Sequence, residues 1–135
     1  DAVMAIWGYA PTDGEPASLA FNCAKAMVEA SRGMTFGGKP IAIGVGLNAG
    51  HVFIGNVGGD GKRQFTVLGT PVNLAARFES KCKELGSMIT AGAEFYARLT
   101  EAEQAELAEH SGEEIKGAEP QTLYTWAAKE PTKGE

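Results

Sequence analysis

Two side chains set four residues apart, the amide of Asn73 and the guanidinium of Arg77, fall in the stretch LGTPVNLAARFES, residues 68–80. On a helix that spacing puts both groups on one face, a single turn apart. The guanidinium is a planar, permanently charged fork of donors, better suited than a flexible ammonium to the spread negative charge of phosphoryl oxygens. The amide offers both a donor and an acceptor. On spacing alone the plainer reading, a solvated polar face, is favoured, so the decision rests on what surrounds the pair.

The elements that must position them are legible nearby. A strand-like run ends at Gly69; Thr70 suits an N-cap, Pro71 the first helical position, and Gly86 a helix stop. Leu74, Phe78, Cys82 and Leu85 form an apolar stripe at helical spacing, whereas Asn73, Arg77, Lys81 and Glu84 form a polar one that should face away from the core. Upstream, Ile41, Ile43, Val45 and Leu47 alternate with Ala42, Gly44 and Gly46, a strand whose second face is nearly bare, so that backbone can approach it closely. Residues 51–57 read as a strand, Gly58-Gly59-Asp60-Gly61 as a tight turn, and residues 62–68 as its return, which predicts an antiparallel meander of three strands.

The rest of the chain supplies the frame. Residues 2–7 are apolar on both faces and read as a buried central strand. Leu19, Ala20, Cys23, Ala24, Met27 and Val28 mark a helix over about residues 17–32, stopped by Gly33. Residues 87–91 read as a short strand, 93 to about 109 as a glutamate-rich amphipathic helix with Glu101, Glu103, Glu106 and Glu109 on a solvated face, and 121–127 as a last strand. This order predicts an α+β domain: a mixed or antiparallel sheet with helices on one face. Residues 1–130 form the domain and 131–135 a tail or linker. The abrupt apolar start at Asp1-Ala-Val-Met implies that N-terminal elements are missing.

Composition removes several function classes. With 135 residues and 44% hydrophobic content a single globular domain is expected, and a net charge of −5 carries no broad basic footprint for nucleic acid. Any phosphate site must therefore be built locally. The two cysteines, Cys23 and Cys82, lie far apart in helical patterns and read as reduced thiols. No apolar run approaches the length of a membrane span and no leader opens the chain, so a cytoplasmic domain is expected, with membrane tethering left to regions outside it. Gly44-Val-Gly-Leu-Asn-Ala-Gly50 is not a dinucleotide loop, because strand rather than helix follows it. Gly58-Gly59-Asp60 only superficially resembles a diguanylate cyclase turn, since Gly61-Lys62 follows in place of an acidic and an aromatic residue. His51 and His110 lack a second ligand at metal spacing.

The run from Gly44 to Glu79, GVGLNAGHVFIGNVGGDGKRQFTVLGTPVNLAARFE, strongly resembles the class III adenylate and guanylate cyclase catalytic domain. That family's pattern is a glycine-ended strand, a hairpin, then G-x-x-V-N-x-A-x-R. Asp1-Ala-Val-Met-Ala-Ile-Trp-Gly is similar to the segment that starts at the family's second metal-binding aspartate, and Ile115-Lys116-Gly117 with Leu123-Tyr124 resembles its late lysine-glycine motif and final strand. The resemblance covers nearly the whole chain and implies the class III cyclase fold, lacking its N-terminal elements.

It also implies a mechanism. Two divalent ions, Mg²⁺ or Mn²⁺, sit on carboxylates while the ribose 3′ hydroxyl of ATP attacks the α-phosphate, giving 3′,5′-cyclic AMP and pyrophosphate. By resemblance Arg77 meets the transition-state charge, Asn73 orients the ribose, Lys116 reaches the terminal phosphates, Thr66 reads the purine and Asp1 holds metal. The first metal aspartate and the lysine that accompanies Thr66 would lie upstream. Threonine at that position points to ATP and also marks a subgroup described as bicarbonate-responsive. The family works as a homodimer with shared active sites, metal carboxylates from one protomer and Asn, Arg and Lys from the other, often fused to regulatory domains. Guanylate cyclase, another nucleotidyl-cyclising enzyme, or a degenerate dimerising module are the alternatives.

Overall fold

The structure, a computed structural model, describes residues 2–11, 13–62 and 64–126. Asp1 and the 131–135 tail therefore lie outside the described residues.

Helix α1 spans Pro16–Ser31 with proline in its first turn, where a missing N–H costs nothing. Two short strands, β1 (Thr35–Phe36) and β2 (Lys39–Pro40), pair as a small hairpin, and β3 (Val45–Leu47) follows. Strands β4 (Phe53–Val57) and β5 (Gln64–Leu68) form an antiparallel hairpin of their own, with Phe53 opposite Leu68 and Gly55 opposite Thr66. Helix α2 covers Thr70–Leu85, and β6 covers Ile89–Gly92. Two single-turn helices, α3 (Ala93–Tyr96) and α4 (Glu101–Gln104), lead to β7 (Ala108–Glu113) and β8 (Gln121–Trp126).

The central sheet has the order β3-β6-β8-β7, with β3 and β6 parallel and the other neighbours antiparallel. The class is thus the expected α+β with a mixed sheet. The helices, however, divide between its faces. Leu47, Ile89 and Ala91 close a core with Ala17, Ala20, Phe21, Ala24 and Val28 of α1. Strand alternation turns Gly44, Gly46 and Thr90 to the other side, where α2 lies: a Cβ on Gly46 would meet the Ala75 carbonyl, and Cys82 Sγ is 3.2 Å from Thr90 Oγ1. Beneath α2, Phe78, Ile115 and Leu123 make a second cluster, flanked by Leu74 and Leu85. The bare glycine face of β3 is therefore the seat of a helix.

Several local expectations are corrected. Residues 2–7 form no strand: Val3 and Met4 are 89% and 60% exposed, and no strand among the described residues supplies the ladder partners an extended chain needs. The meander is a hairpin only, because β3 pairs with β6 and not with β4. The helix over 93–109 breaks into α3, α4 and β7. Its cause is the Thr100 capping box, in which Thr100 Oγ1 accepts from Glu103 N–H and Glu103 Oε1 accepts from Thr100 N–H, restarting the helix at Glu101. Its glutamates are not all solvated: Glu103 also accepts from Ser18 Oγ at 2.8 Å, and Glu106 pairs with Lys25 at 2.9 Å, tying this segment to α1. In α1 the face is rotated, with Phe21 fully buried and Met27 43% exposed. Among the described residues no helix is long and apolar enough to cross a membrane.

Candidate active site

Helix α2 begins one residue earlier than its composition suggests. Gly69, not Thr70, is the N-cap, with φ of +146°, a conformation L side chains rarely adopt, and its carbonyl accepts from Val72 and Asn73. The sharp turn there lets α2 leave β5 at once. Asn48 donates its side-chain N–H to the Pro71 carbonyl at 3.2 Å, fixing the helix start against the end of β3. Gly86, at φ +65°, closes the helix in the left-handed cap anticipated for it.

Between these ends Phe78 is fully buried and Cys82 nearly so, which turns Asn73 and Arg77 outward. They face the 114–118 segment between β7 and β8. Two adjoining open hollows form there: one, about 440 Å³, is lined by Thr70, Asn73, Leu74, Arg77, Lys116 and Gly117, and the other by Arg77, Ser80, Lys81, Glu84, Glu114 and Lys116. Arg77 and Lys116 belong to both. The structure thus brings three of the residues singled out in the sequence, Asn73, Arg77 and Lys116, to one groove from elements about forty positions apart. Ile115, buried between Phe78 and Leu123, anchors the loop that carries Lys116.

Thr66 is not brought to this groove. It sits on β5, its hydroxyl bonded to the Gln64 carbonyl at 3.0 Å, on the hairpin face that also carries Phe53 and Leu68. Asp1 is outside the described residues, and among those described no group of three or more His, Cys, Asp or Glu is placed to hold a metal ion. His110 instead bonds Thr125 Oγ1 at 2.9 Å.

The residue the sequence misplaces is Lys81. Assigned to the solvated stripe, it is 9% exposed, with its ammonium 2.7 Å from Glu84 and 3.2 Å from Glu113. The Glu84 hydrogen bond holds its pKa above the ordinary ammonium value against the opposing effect of burial, and Glu113 adds to the rise. No sequence period links residues 81 and 113.

A groove that offers an amide, a guanidinium and an ammonium at the end of a mixed α+β sheet is suited to a polyanion with a hydroxylated body. The chain belongs to the family described as the adenylate and guanylate cyclase catalytic domain, whose family model matches residues 1–128. It is 36% identical over 95 residues to the terminal-differentiation-specific adenylate cyclase of Dictyostelium discoideum, covering 66% of this chain and 4% of that protein. To adenylate cyclase 1 of Rhizobium meliloti it is 32% identical over 98 residues, 67% of this chain and 14% of that one. The chain thus spans a small part of the length of these curated relatives. Among solved structures, the adenylyl cyclase CyaB from P. aeruginosa matches with a TM-score of 0.67 and 26% identity, over 95% of this chain and 68% of that one. The guanylate cyclase domain of RhGC from Catenaria anguillulae, solved with GTP, matches with a TM-score of 0.69 at 23% identity, over 91% and 66% of the two chains, a likeness of fold.

Proposed function

We propose that this cyclase domain converts ATP to 3′,5′-cyclic AMP and pyrophosphate. The observation that carries the reading is the convergence of Asn73, Arg77 and Lys116 on one groove in a chain of this family. Arg77 stabilises the charge that spreads over the α-phosphoryl oxygens as the 3′ hydroxyl attacks in line and pyrophosphate leaves. Asn73, one turn away, holds the ribose so that the hydroxyl is aimed at phosphorus. Lys116 neutralises the terminal phosphates that depart. A divalent ion, Mg²⁺ or Mn²⁺, supplies further charge neutralisation when bound; Asp1 is the one residue of this chain assigned to it, and no step here is routed through it.

Thr66 reads the purine, and adenine is the proposed base. Membership of the cyclase family supports a homodimer with shared active sites, metal carboxylates coming from one protomer and Asn73, Arg77 and Lys116 from the other. The hairpin supports the same reading: Phe53, Leu68 and Val57 on the face of Thr66 are 56%, 51% and 46% exposed, an apolar surface suited to a second copy. The length of the matched relatives beyond this segment supports fused regulatory domains.

The test is product analysis with full-length protein given ATP or GTP and Mg²⁺ or Mn²⁺. Cyclic AMP with pyrophosphate is expected. Cyclic GMP alone would move the assignment to a guanylate cyclase, and nucleotide binding without turnover would favour a regulatory module.

A further inference from the structure

Lys81 lies one turn beyond Arg77 on α2 and lines the same groove, yet its two carboxylate partners are not equivalent. Glu84 is on the same helix three residues on and its side chain is 65% exposed. That pair joins nothing the helix does not already hold, and solvent screens it. Glu113 is 25% exposed and belongs to a different element, the last residue of β7. Three residues further on is Lys116.

The strand is built so that Glu113 reaches α2. His110 stands opposite Leu123 and Glu113 opposite Gln121, so β7 advances three residues while β8 advances two. This is a bulge, and Gly112 takes it at φ +67°. Had the register run on unbroken, residue 112 would face Gln121 and Glu113 would point to the far side of the sheet. With the bulge, Glu113 shares the face of Leu123, which packs against Phe78 of α2. Ile115 then sets the depth of the following loop by apolar contact, which has no direction of its own, while the ion pair supplies the lateral fix.

Resting on the cyclase reading above, we infer that Lys81 is a positioning residue: through Glu113 it locks the 114–118 loop, and with it Lys116, at a set separation from Arg77. Two groups that must meet one triphosphate come from α2 and from the β7–β8 connection, and the Lys81–Glu113 pair is the polar link between those elements. A displacement of about 1 Å at such a contact is enough to cost on the order of tenfold to a hundredfold in rate.

The experiment uses full-length protein carrying Glu113→Gln, Lys81→Met, Lys116→Ala or Glu113→Gln with Lys116→Ala. Glu106→Gln, which breaks the Lys25–Glu106 pair elsewhere, is the control. Amide hydrogen exchange at residues 115–118 is read together with kcat and KM for ATP. Glu113→Gln should speed exchange at 115–118, lower kcat roughly tenfold or more and leave the melting temperature near wild type, while the control changes neither exchange nor turnover. In the Lys116→Ala background Glu113→Gln should cost little further, because its effect acts through Lys116. Additive losses, or unchanged exchange at 115–118 in Glu113→Gln, would overturn the inference. Should Lys81→Met fail to fold, Glu113→Gln carries the test, since it leaves Lys81 bonded to Glu84. If wild-type protein makes no cyclic nucleotide from ATP or GTP, the functional reading fails; the exchange result still decides the tether, faster exchange supporting it and unchanged exchange refuting it.

Discussion

Gly46 of β3 lies directly under Ala75 of α2, so close that a Cβ on Gly46 would run into the Ala75 carbonyl oxygen and fall 2.6 Å from the Glu79 nitrogen. Both obstacles are backbone, which no rotamer change can move. Through this contact the helix that bears Asn73 and Arg77 takes its height above the sheet.

Gly46→Ala should therefore destabilise by about 1–3 kcal/mol or more, the range for forcing extra volume into a packed site. Gly59→Ala is the comparison: nothing lies within 4 Å of its added Cβ, so its effect should stay within about 0.5 kcal/mol. Chemical denaturation of the two variants checks this. Equal stabilities would mean that α2 rides further from the sheet than described.

Neighbouring residues on α2 should separate stability from turnover. Phe78, fully buried, should cost about 3–5 kcal/mol of folding stability as Phe78→Ala. Arg77→Ala, exposed in the groove, should melt within a few degrees of wild type but lose roughly a hundredfold in kcat, the scale for one preorganised donor. Thermal melts and steady-state kinetics on full-length variants give both numbers.

Helix α2 was the most legible element because its signals are local: Gly69, Pro71 and Gly86 bound it, and one apolar stripe orients it. Asn73, Arg77 and Lys116 were readable as candidates for the same reason, since each sits in a short motif. The failures share a different cause. An alternating run does not say which strand it pairs with, so β3 reads as part of a meander although its partner is β6, more than forty residues on. The alanine- and glutamate-rich stretch after residue 93 has helical composition throughout, yet the Thr100 cap and the pairing of β7 with β8 override it. Lys81 reads as solvated because its partner Glu113 is reached only through a bulge in another element.

Acid should loosen the contact between α1 and α4. Burial raises the pKa of Glu103, but hydrogen bonds from the Thr100 backbone and from the Ser18 and Thr100 hydroxyls outweigh it and hold the carboxylate below its ordinary 4.5. A group whose pKa is lowered on folding contributes stability that is complete above the unfolded value and is lost as pH falls through the folded one. Glu103→Gln should remove that part of the acid dependence, so the stabilities of variant and wild type should converge below about pH 4.5. Parallel curves down through that range would show that the hydrogen bonds do not favour the charge.

Lys81 gives the opposite sign. Its pKa is raised on folding, first by Glu84, so the stability it contributes is present below the ordinary ammonium value of 10.5 and lost as pH rises through the folded one. Glu113→Gln should weaken that alkaline loss. Urea midpoints from pH 9 upward test it, and an unchanged alkaline limb would place the charge stabilisation with Glu84 alone.

Thr66 should govern the base. Replacing a group that bonds a purine edge leaves donors and acceptors unmatched for one base and not the other, so Thr66 variants of full-length protein should shift the ratio of kcat/KM for ATP over GTP. An unchanged ratio would show that the base is read elsewhere.

The central claim is that Asn73, Arg77 and Lys116 act together on ATP, Arg77 and Lys116 on its phosphates and Asn73 on its ribose. It is tested most directly by measuring cyclic AMP and pyrophosphate released from ATP by full-length wild type and by Arg77→Ala, each with Mg²⁺ or Mn²⁺. The account predicts stoichiometric cyclic AMP and pyrophosphate from wild type, and roughly a hundredfold less from a folded Arg77→Ala protein. Wild-type turnover in Arg77→Ala would contradict it.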